Sequence, residues 1–279
     1  MSGSFRTSLT VLALLSSPLV ACGDDSSTGG GPAGGGSEGG GGAAATGGGG
    51  AGGSGTEAIC TDPVAVPCED AVFLQMNLQD TVAPDAAIDN TPEGTGFLTH
   101  IDATAGGAFA TTPDSYTYGK FTDDGIELVS ISDEASLTSM DWDIAFRRYV
   151  SRINSGNSGP SCVAAARLPG TPDFDTVDAA PADAVFRTDD YFTDSCELIA
   201  DGTGLEGSPA TALSSYWTYP GCVQMSGNVF IVRLADGRTL KLTVTAFYND
   251  DVQAQCDETG TIPMQNTGSG NIKLRWAFL

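Results

Sequence analysis

The sequence predicts an all-β fold, a single antiparallel-sheet domain, on three observations. Apolar and polar residues alternate with the period of two that a half-buried strand requires, as in Ile272, Leu274, Trp276 and Phe278. Asp-Gly pairs, Asp124-Gly125 and Asp236-Gly237, stand between such runs, where hairpin turns need positive φ. Few aromatic (8%) and charged (17%) residues beside 37 glycines suit a chain with many turns.

The first element is not part of the domain. Residues 9–20 are a short apolar run with Arg6 as the only preceding charge, followed by Leu19-Val20-Ala21-Cys22. The run is too short to span a bilayer, so residues 1–21 read as a signal peptide. Small residues before a cysteine resemble the bacterial lipoprotein signal, which implies diacylglycerol on the Cys22 thiol, cleavage before it and acylation of the new amino terminus. The alternative is an ordinary secretory signal with a cysteine at its cleavage site. Residues 22–56 are mostly Gly, with Ala, Ser and Thr, a tether with no means of building a core; such a chain spans roughly 30 Å on average. The folded domain is expected over residues 57–279, about 220 residues and enough for one real core.

Along that domain, Val72, Leu74, Met76 and Leu78 alternate as a strand would. Strands are expected at 97–102, 115–121 and 126–131, the last two joined by the turn Thr122-Asp123-Asp124-Gly125. A long strand is expected over 142–153, with Trp142, Ile144, Phe146 and Val150 on one face and Arg147 and Arg148 on opposite faces. Ser208 and Pro209 open a short expected helix over 208–215. Residues 229–234 and 238–248 form the clearest hairpin, and 272–278 the closing strand.

Cysteines and charge bound the chemistry. With Cys22 lipidated, six remain: Cys60, Cys68, Cys162, Cys196, Cys222 and Cys256. An even number in an exported chain reads as three disulfides. Nearest-neighbour pairing, Cys60–Cys68, Cys162–Cys196 and Cys222–Cys256, closes the shortest loops and is expected on that ground. No CxxC pair exists, and one histidine cannot complete a Cys₂His₂ zinc site. Twelve Lys and Arg against 35 Asp and Glu give a net charge of −23, which repels nucleic acid and favours a soluble monomer. Acidic turns at 122–125 and 249–252 match no EF-hand loop and read as solvated turns.

Catalytic motifs fail on context. The GxSxG match at 35–39 lies in the tether, without strand, turn or helix around it. The GxGxxG match at 202–207 lies in a cysteine-rich exported chain with Pro209 behind it, a loop and not a dinucleotide site. His100, the only histidine, sits within an expected strand, and no spacing singles out a pair of carboxylates. A hydrolase is therefore not expected, and the chain reads as a non-enzyme.

The informative block runs from Trp142-Asp143 through Arg147-Arg148-Tyr149 to Asn154-Ser155-Gly156-Asn157-Ser158-Gly159, an aromatic-anchored strand entering a Gly-Ser-Asn loop. An arginine here can bind a carboxylate bidentately, or form an internal ion pair with one of the many acids. The block, together with the run from Asn228 to Leu242 that carries Ala235-Asp236-Gly237 and Lys241, and the pair Phe247-Tyr248, resembles the HmuY family of bacterial surface lipoproteins. The likeness covers roughly Ser115 to Leu279. It implies a hand-shaped all-β domain, a place at the outer membrane, and capture of haem at the cell surface. Family haemophores hold the iron with two side chains, often histidines, from two loops. The corresponding loops here, around 187–207 and 216–225, contain no histidine. The donors in the second loop are Tyr216, Tyr219 and Met225, with Trp217 beside them; Met225 is the candidate iron ligand as a thioether, and the tyrosines as phenolates. The same residues can instead be core and rim. Two functions follow: capture of haem, another tetrapyrrole or a flat hydrophobe, or interaction with another surface protein after loss of the haem site. An open apolar pocket near Trp217 favours the first, and a filled one the second.

Cys22→Ala is expected to leave the protein soluble or unprocessed. Its retention in the detergent phase after phase partitioning, at the native mass, would contradict the anchor.

Overall fold

A computed structural model describes residues 60–107, 114–205 and 207–279. The signal peptide, Cys22, the tether with its GxSxG match and the first residues of the expected domain lie outside them. Among the described residues no helix is long and apolar enough to cross a membrane.

The fold is mostly antiparallel β, as expected. Twelve strands follow in chain order: β1 (Ile88–Glu93), β2 (Gly96–Asp102), β3 (Thr117–Thr122), β4 (Gly125–Val129), β5 (Ile144–Arg147), β6 (Val150–Ile153), β7 (Ala164–Arg167), β8 (Trp217–Thr218), β9 (Gln224–Met225), β10 (Phe230–Arg233), β11 (Thr239–Ala246) and β12 (Asn271–Phe278). Among the described residues three α-helices interrupt them: α1 (Glu69–Gln75), α2 (Asp133–Ser136) and α3 (Asp250–Thr259). The larger sheet has the order β1-β2-β12-β11-β10-β7, the smaller β4-β3-β5-β6, and β8-β9 form a separate ribbon.

The two sheets share one core. Leu240, Leu242 and Val244 of β11 and Ile272, Leu274 and Trp276 of β12 point inward from the larger sheet, and meet Phe121, Ile126, Ile144, Phe146 and Ile153 of the smaller. Period-two alternation produces this face, with Lys273 and Arg275 turned outward. The far face of the smaller sheet carries a second core, in which Tyr116, Tyr118, Trp142 and Ala145 meet Val72 of α1 and Met76 at its C-cap. The far face of the larger sheet is covered by residues 168–186, with Leu168 and Val177 on Val229 and Ile231.

Several expectations are corrected. Residues 72–78 begin in α1 and do not form a strand: Val72 and Met76, one helical turn apart, are buried while Leu74 is exposed. The expected long strand over 142–153 is the hairpin β5–β6, which turns at Arg148 with φ 56°. Its backbone N–H donates to Ala103 O at 2.7 Å and its guanidinium to Ser269 O at 3.2 Å, which holds a conformation unusual for arginine. The supposed common face divides: Ile144 and Phe146 of β5 enter the first core, while Trp142, before β5 begins, and Val150, beyond the turn, enter the second. Arg147 and Arg148 do diverge, and Arg147 lies 3.5 Å from buried Asp133, the internal ion pair. No helix forms over 208–215; Pro209 bridges Ala200, Ser208 Oγ donates to Asp201 and not to a helix end, and only a 3₁₀ turn follows at Ser214–Tyr216. The acidic stretch 249–252 begins α3, whose Asp250 and Asp251 fill the first turn and whose end is marked by Gly260 at φ 68°.

The cysteines form three disulfides, Cys60–Cys162, Cys68–Cys196 and Cys222–Cys256. The expected pairs Cys60–Cys68 and Cys162–Cys196 do not form. Residues 60–68 instead run along the Gly-Ser-Asn loop, with Val64 N–H donating to Pro160 O at 2.9 Å and Asn157 Nδ2 to Pro67 O at 2.9 Å. This path carries Cys60 to Cys162 and Cys68 to Cys196. Peptide mapping without reduction should recover these two long-range links, and Cys68→Ala with Cys196→Ala should cost about 2–5 kcal/mol. Recovery of a Cys60–Cys68 peptide would reject the scheme.

Candidate functional site

The second loop, read above as the ligand loop, is fixed from three sides. Tyr216 is 1% exposed, packs on Phe146 and Trp217, and its hydroxyl donates to Tyr149 O at 2.8 Å. Burial holds its phenol well above the ordinary tyrosine range, so it stays neutral and faces no open space. Trp217 is also 1% exposed, tilted against Tyr149 with ring centroids 5.1 Å apart. Met225 stands opposite Trp217 in the β8–β9 ribbon, half-buried against the first core, and its N–H donates to Asp257 Oδ1 of α3 at 2.8 Å. The Cys222–Cys256 disulfide ties the ribbon to α3, where both cysteines are fully buried. Gly221 is required there: a Cβ would lie 2.7 Å from Gly260 O. Tyr248 accepts Val223 N–H at 3.0 Å, and Gln253 accepts the Phe247 and Tyr248 N–H groups while donating to Val223 O.

Tyr219 is the exception. It is 39% exposed, at the tip where the two loops meet, and its N–H donates to Thr203 O at 2.9 Å. The structure thus brings Tyr216, Trp217 and Met225 together as packing, and leaves Tyr219 outside on the rim. None of five surface cavities of about 340 to 490 Å³ is lined by any of the four. His100 lies on β2, its Nε2 2.9 Å from Asn271 Oδ1 and its Nδ1 3.8 Å from Asp89 Oδ2, away from both loops in the chain. Among the described residues no three His, Cys, Asp or Glu converge on a metal position. A haem held between two axial side chains of this loop does not fit the arrangement, because Tyr216 is buried, Met225 packs against the core and Tyr219 alone of the three donors is exposed.

The first loop is fastened by a residue the sequence did not single out. Asp189 is fully buried and accepts hydrogen bonds from Ile153 N–H at 2.8 Å, Ala212 N–H at 2.7 Å and Ser158 Oγ at 2.6 Å. Loss of water pushes its carboxyl up to about 6 despite these donors. Asp143 of the Trp-Asp pair behaves alike. It accepts Phe121 N–H at 2.9 Å, and burial pushes it up to about 6. In the sequence Asp143 stands between Trp142 and Ile144 and Asp189 within the polar stretch Arg187–Asp190, and neither pattern distinguishes a buried acid from an exposed one.

Both acids have folded-state values above the 3.8 of the unfolded chain. The native state therefore takes up protons first, and their contribution to stability is present below pH 3.8 and lost as the pH rises through about 6. Asp143→Asn, whose amide oxygen can still accept Phe121 N–H, should show a smaller rise in melting temperature between pH 7 and pH 4.5 than the parent chain. An equal rise in both would show that Asp143 titrates normally.

The family model for HmuY protein matches residues 112–259. No curated protein matches the chain. Among solved structures, a Bacteroides vulgatus protein described as HmuY-like and haem-binding is 18% identical, with 69% of this chain and 97% of that one covered at a TM-score of 0.43. A Bacteroides fragilis protein described as a lipoprotein is 14% identical over 67% of this chain and 91% of its own, at 0.42. The apo HmuY analog of Tannerella forsythia is 19% identical over 70% and 98%, at 0.37.

Proposed function

The chain belongs to the HmuY family, and we propose that residues 57–279 form its non-catalytic binding domain at the bacterial cell surface. In this reading residues 1–21 direct export, lipid on Cys22 holds the protein at the outer membrane, and residues 22–56 let the domain reorient while anchored. The family is associated with haem. Here, however, the ligand loops carry no histidine, and the packing of Tyr216 and Trp217 into the core is the observation that carries our reading. A filled, bonded loop pair supports contact with another surface molecule through its rim, where Tyr219 stands, over insertion of a flat ring between the loops.

Capture of haem or a similar flat hydrophobe has one feature in its favour, the exposed Tyr219 phenol at the meeting point of the two loops. A haem titration of the purified protein in both redox states separates the readings. The expected result is no tight complex and no spectrum of two histidine ligands. Any weak oxidised-state band should vanish in Tyr219→Phe and persist in Tyr216→Phe, Met225→Ala and His100→Ala. A tight complex that survives Tyr219→Phe would overturn the proposal.

A further inference from the structure

The three disulfides differ in what surrounds them. Cys222 and Cys256 are fully buried, whereas the cysteines of the other two pairs are half-buried. Cys68 and Cys196 stand apart on a second ground. Both lie in the left-handed region, at φ 57° and 60°, which residues with a side chain rarely adopt, and neither Cys60 nor Cys162 does. Both also line one cavity of about 490 Å³, so the link between them borders open space.

Local structure explains one of these angles and not the other. Cys196 ends a turn in which its N–H donates to Thr193 O at 2.8 Å and Thr193 N–H donates to Glu197 O at 2.9 Å, a position that ordinarily takes glycine or asparagine. Cys68 immediately precedes α1, where a capping residue is extended and its side chain bonds the first turn. Here Cys68 is at φ 57° and ψ 30° and makes no such bond, its sulfur being committed to Cys196. Nothing in the helix calls for that backbone, so the link to Cys196 imposes it. Such conformations persist only where their surroundings over-determine them, and a strained, accessible disulfide is the more easily reduced kind. The first loop does not depend on this link alone: Asp189 holds the Ile153 and Ala212 N–H groups, and Asn157 Oδ1 accepts those of Tyr191 and Phe192.

We propose that Cys68–Cys196 is a thiol-exchange site, opened from this cavity by a small thiol that bears a cationic group. Asp190 and Asp194 line the cavity, Glu69 and Glu197 adjoin the two cysteines in the chain, and no basic residue lines it. The attacking species is a thiolate, which these acids repel unless a cationic group travels with it. The thiolate attacks one Sγ, the Sγ–Sγ bond breaks, and the other Sγ leaves with the electron pair and takes a proton from water. A second thiol attacks the mixed disulfide in the same way. The protein disulfide gains two electrons and two protons, and the two small thiols leave as one small disulfide. Opening releases the turn at 193–197 from the start of α1, while the other two disulfides and Asp189 keep the fold. The site stands whether or not the rim at Tyr219 recognises a partner.

The test is exposure of the full folded chain to graded cysteamine at constant pH and ionic strength, quenching with an alkylating reagent and mapping of the labelled cysteines by mass. Cys68 and Cys196 are expected to be labelled together, at least tenfold faster than Cys60 and Cys162. Cys222 and Cys256 should stay unlabelled, and the near-ultraviolet circular dichroism should be kept. Mercaptoethanesulfonate, an anionic thiol, should open the same pair at least threefold more slowly once each thiol's rate on a small neutral disulfide is divided out. The double variant Asp190→Asn with Asp194→Asn, at two exposed positions, should narrow that gap and leave the order of opening unchanged. Earlier or equal opening of Cys60–Cys162, opening of all three links only with loss of the fold, or equal rates for the two thiols would overturn the proposal.

Discussion

The fold depends on how one buried cation is satisfied. Arg152 on β6 is fully buried, and no carboxylate lies within 4.0 Å of it. A bare guanidinium in an interior would cost several kcal/mol. Its partners are hydroxyls and a carbonyl: Nη1 donates to Tyr118 Oη at 2.7 Å, and Nη2 to Ser158 O at 2.5 Å and Ser136 Oγ at 3.4 Å. Charge is balanced one hydroxyl further out. Tyr118 Oη donates to Asp133 Oδ1 at 2.9 Å, and Ser158 Oγ to Asp189 Oδ2. The geometry follows from register, since Tyr118, Ala145 and Arg152 lie across from one another on β3, β5 and β6, and the small Ala145 lets the arginine reach the tyrosine. Tyr116 and Trp142 complete the cage, their ring centroids 5.0 and 5.5 Å from the guanidinium carbon.

Each carboxylate in this network also holds backbone. Asp133 accepts Tyr116 N–H at 2.8 Å and Gln79 N–H at 3.0 Å, which joins the chain after α1 to the smaller sheet. Asp189 joins the first loop to β6 and to residue 212. Asn157 then accepts both Tyr191 and Phe192 N–H groups, and Cys68–Cys196 secures the next turn. A loop held at so many points by buried groups has little freedom to close around a ligand. The second loop is held as firmly by Tyr216, Gln253 and Cys222–Cys256. The interior chemistry that stabilises the fold therefore also restricts what the loops can do, and this supports recognition at their rim.

Some of this was legible in the sequence. The closing strand and the Asp-Gly hairpin were, because each has a long period-two pattern or a turn residue with a single steric solution. The acids Asp250 and Asp251 with Gly260 fit the two ends of a helix, but the stretch 249–252 alone, an acidic run that matches no EF-hand loop, reads equally as a solvated turn. At residues 72–78 the patterns overlap: alternation over four positions also contains the one-turn pair Val72 and Met76. The hairpin turn at Arg148 carries no glycine or asparagine, and tertiary contacts from Ala103 and Ser269 hold it. The disulfides failed for an energetic reason. Lengthening a closed loop from that of Cys60–Cys68 to the observed separation of 102 residues costs only about 2 kcal/mol more. The packing of residues 60–68 along the Asn154–Gly159 loop outweighs that difference.

Arginine placement separates what is structural in this acidic chain from what is available. Arg147 and Arg152 are enclosed in the network that organises the smaller sheet. Arg238 and Arg275 bridge surface acids, contacts that contribute little in water but neutralise local repulsion. Arg233 shares the aromatic stacking of Arg275, which lies 4.7 Å from the Phe174 ring, yet it lacks the carboxylates that complete Arg275's surroundings. Arg275 reaches Glu93 on β1 and Asp175 in the turn at Phe174–Thr176, whereas Arg233 stands opposite the small Ala164 at the end of β10. Among the described residues Arg148, Arg152 and Lys241 also lie beyond 4.0 Å of any carboxylate, so abundance of acid does not by itself pair every cation: where a basic group is enclosed, the fold supplies carbonyls, hydroxyls and aromatic rings in place of opposite charge.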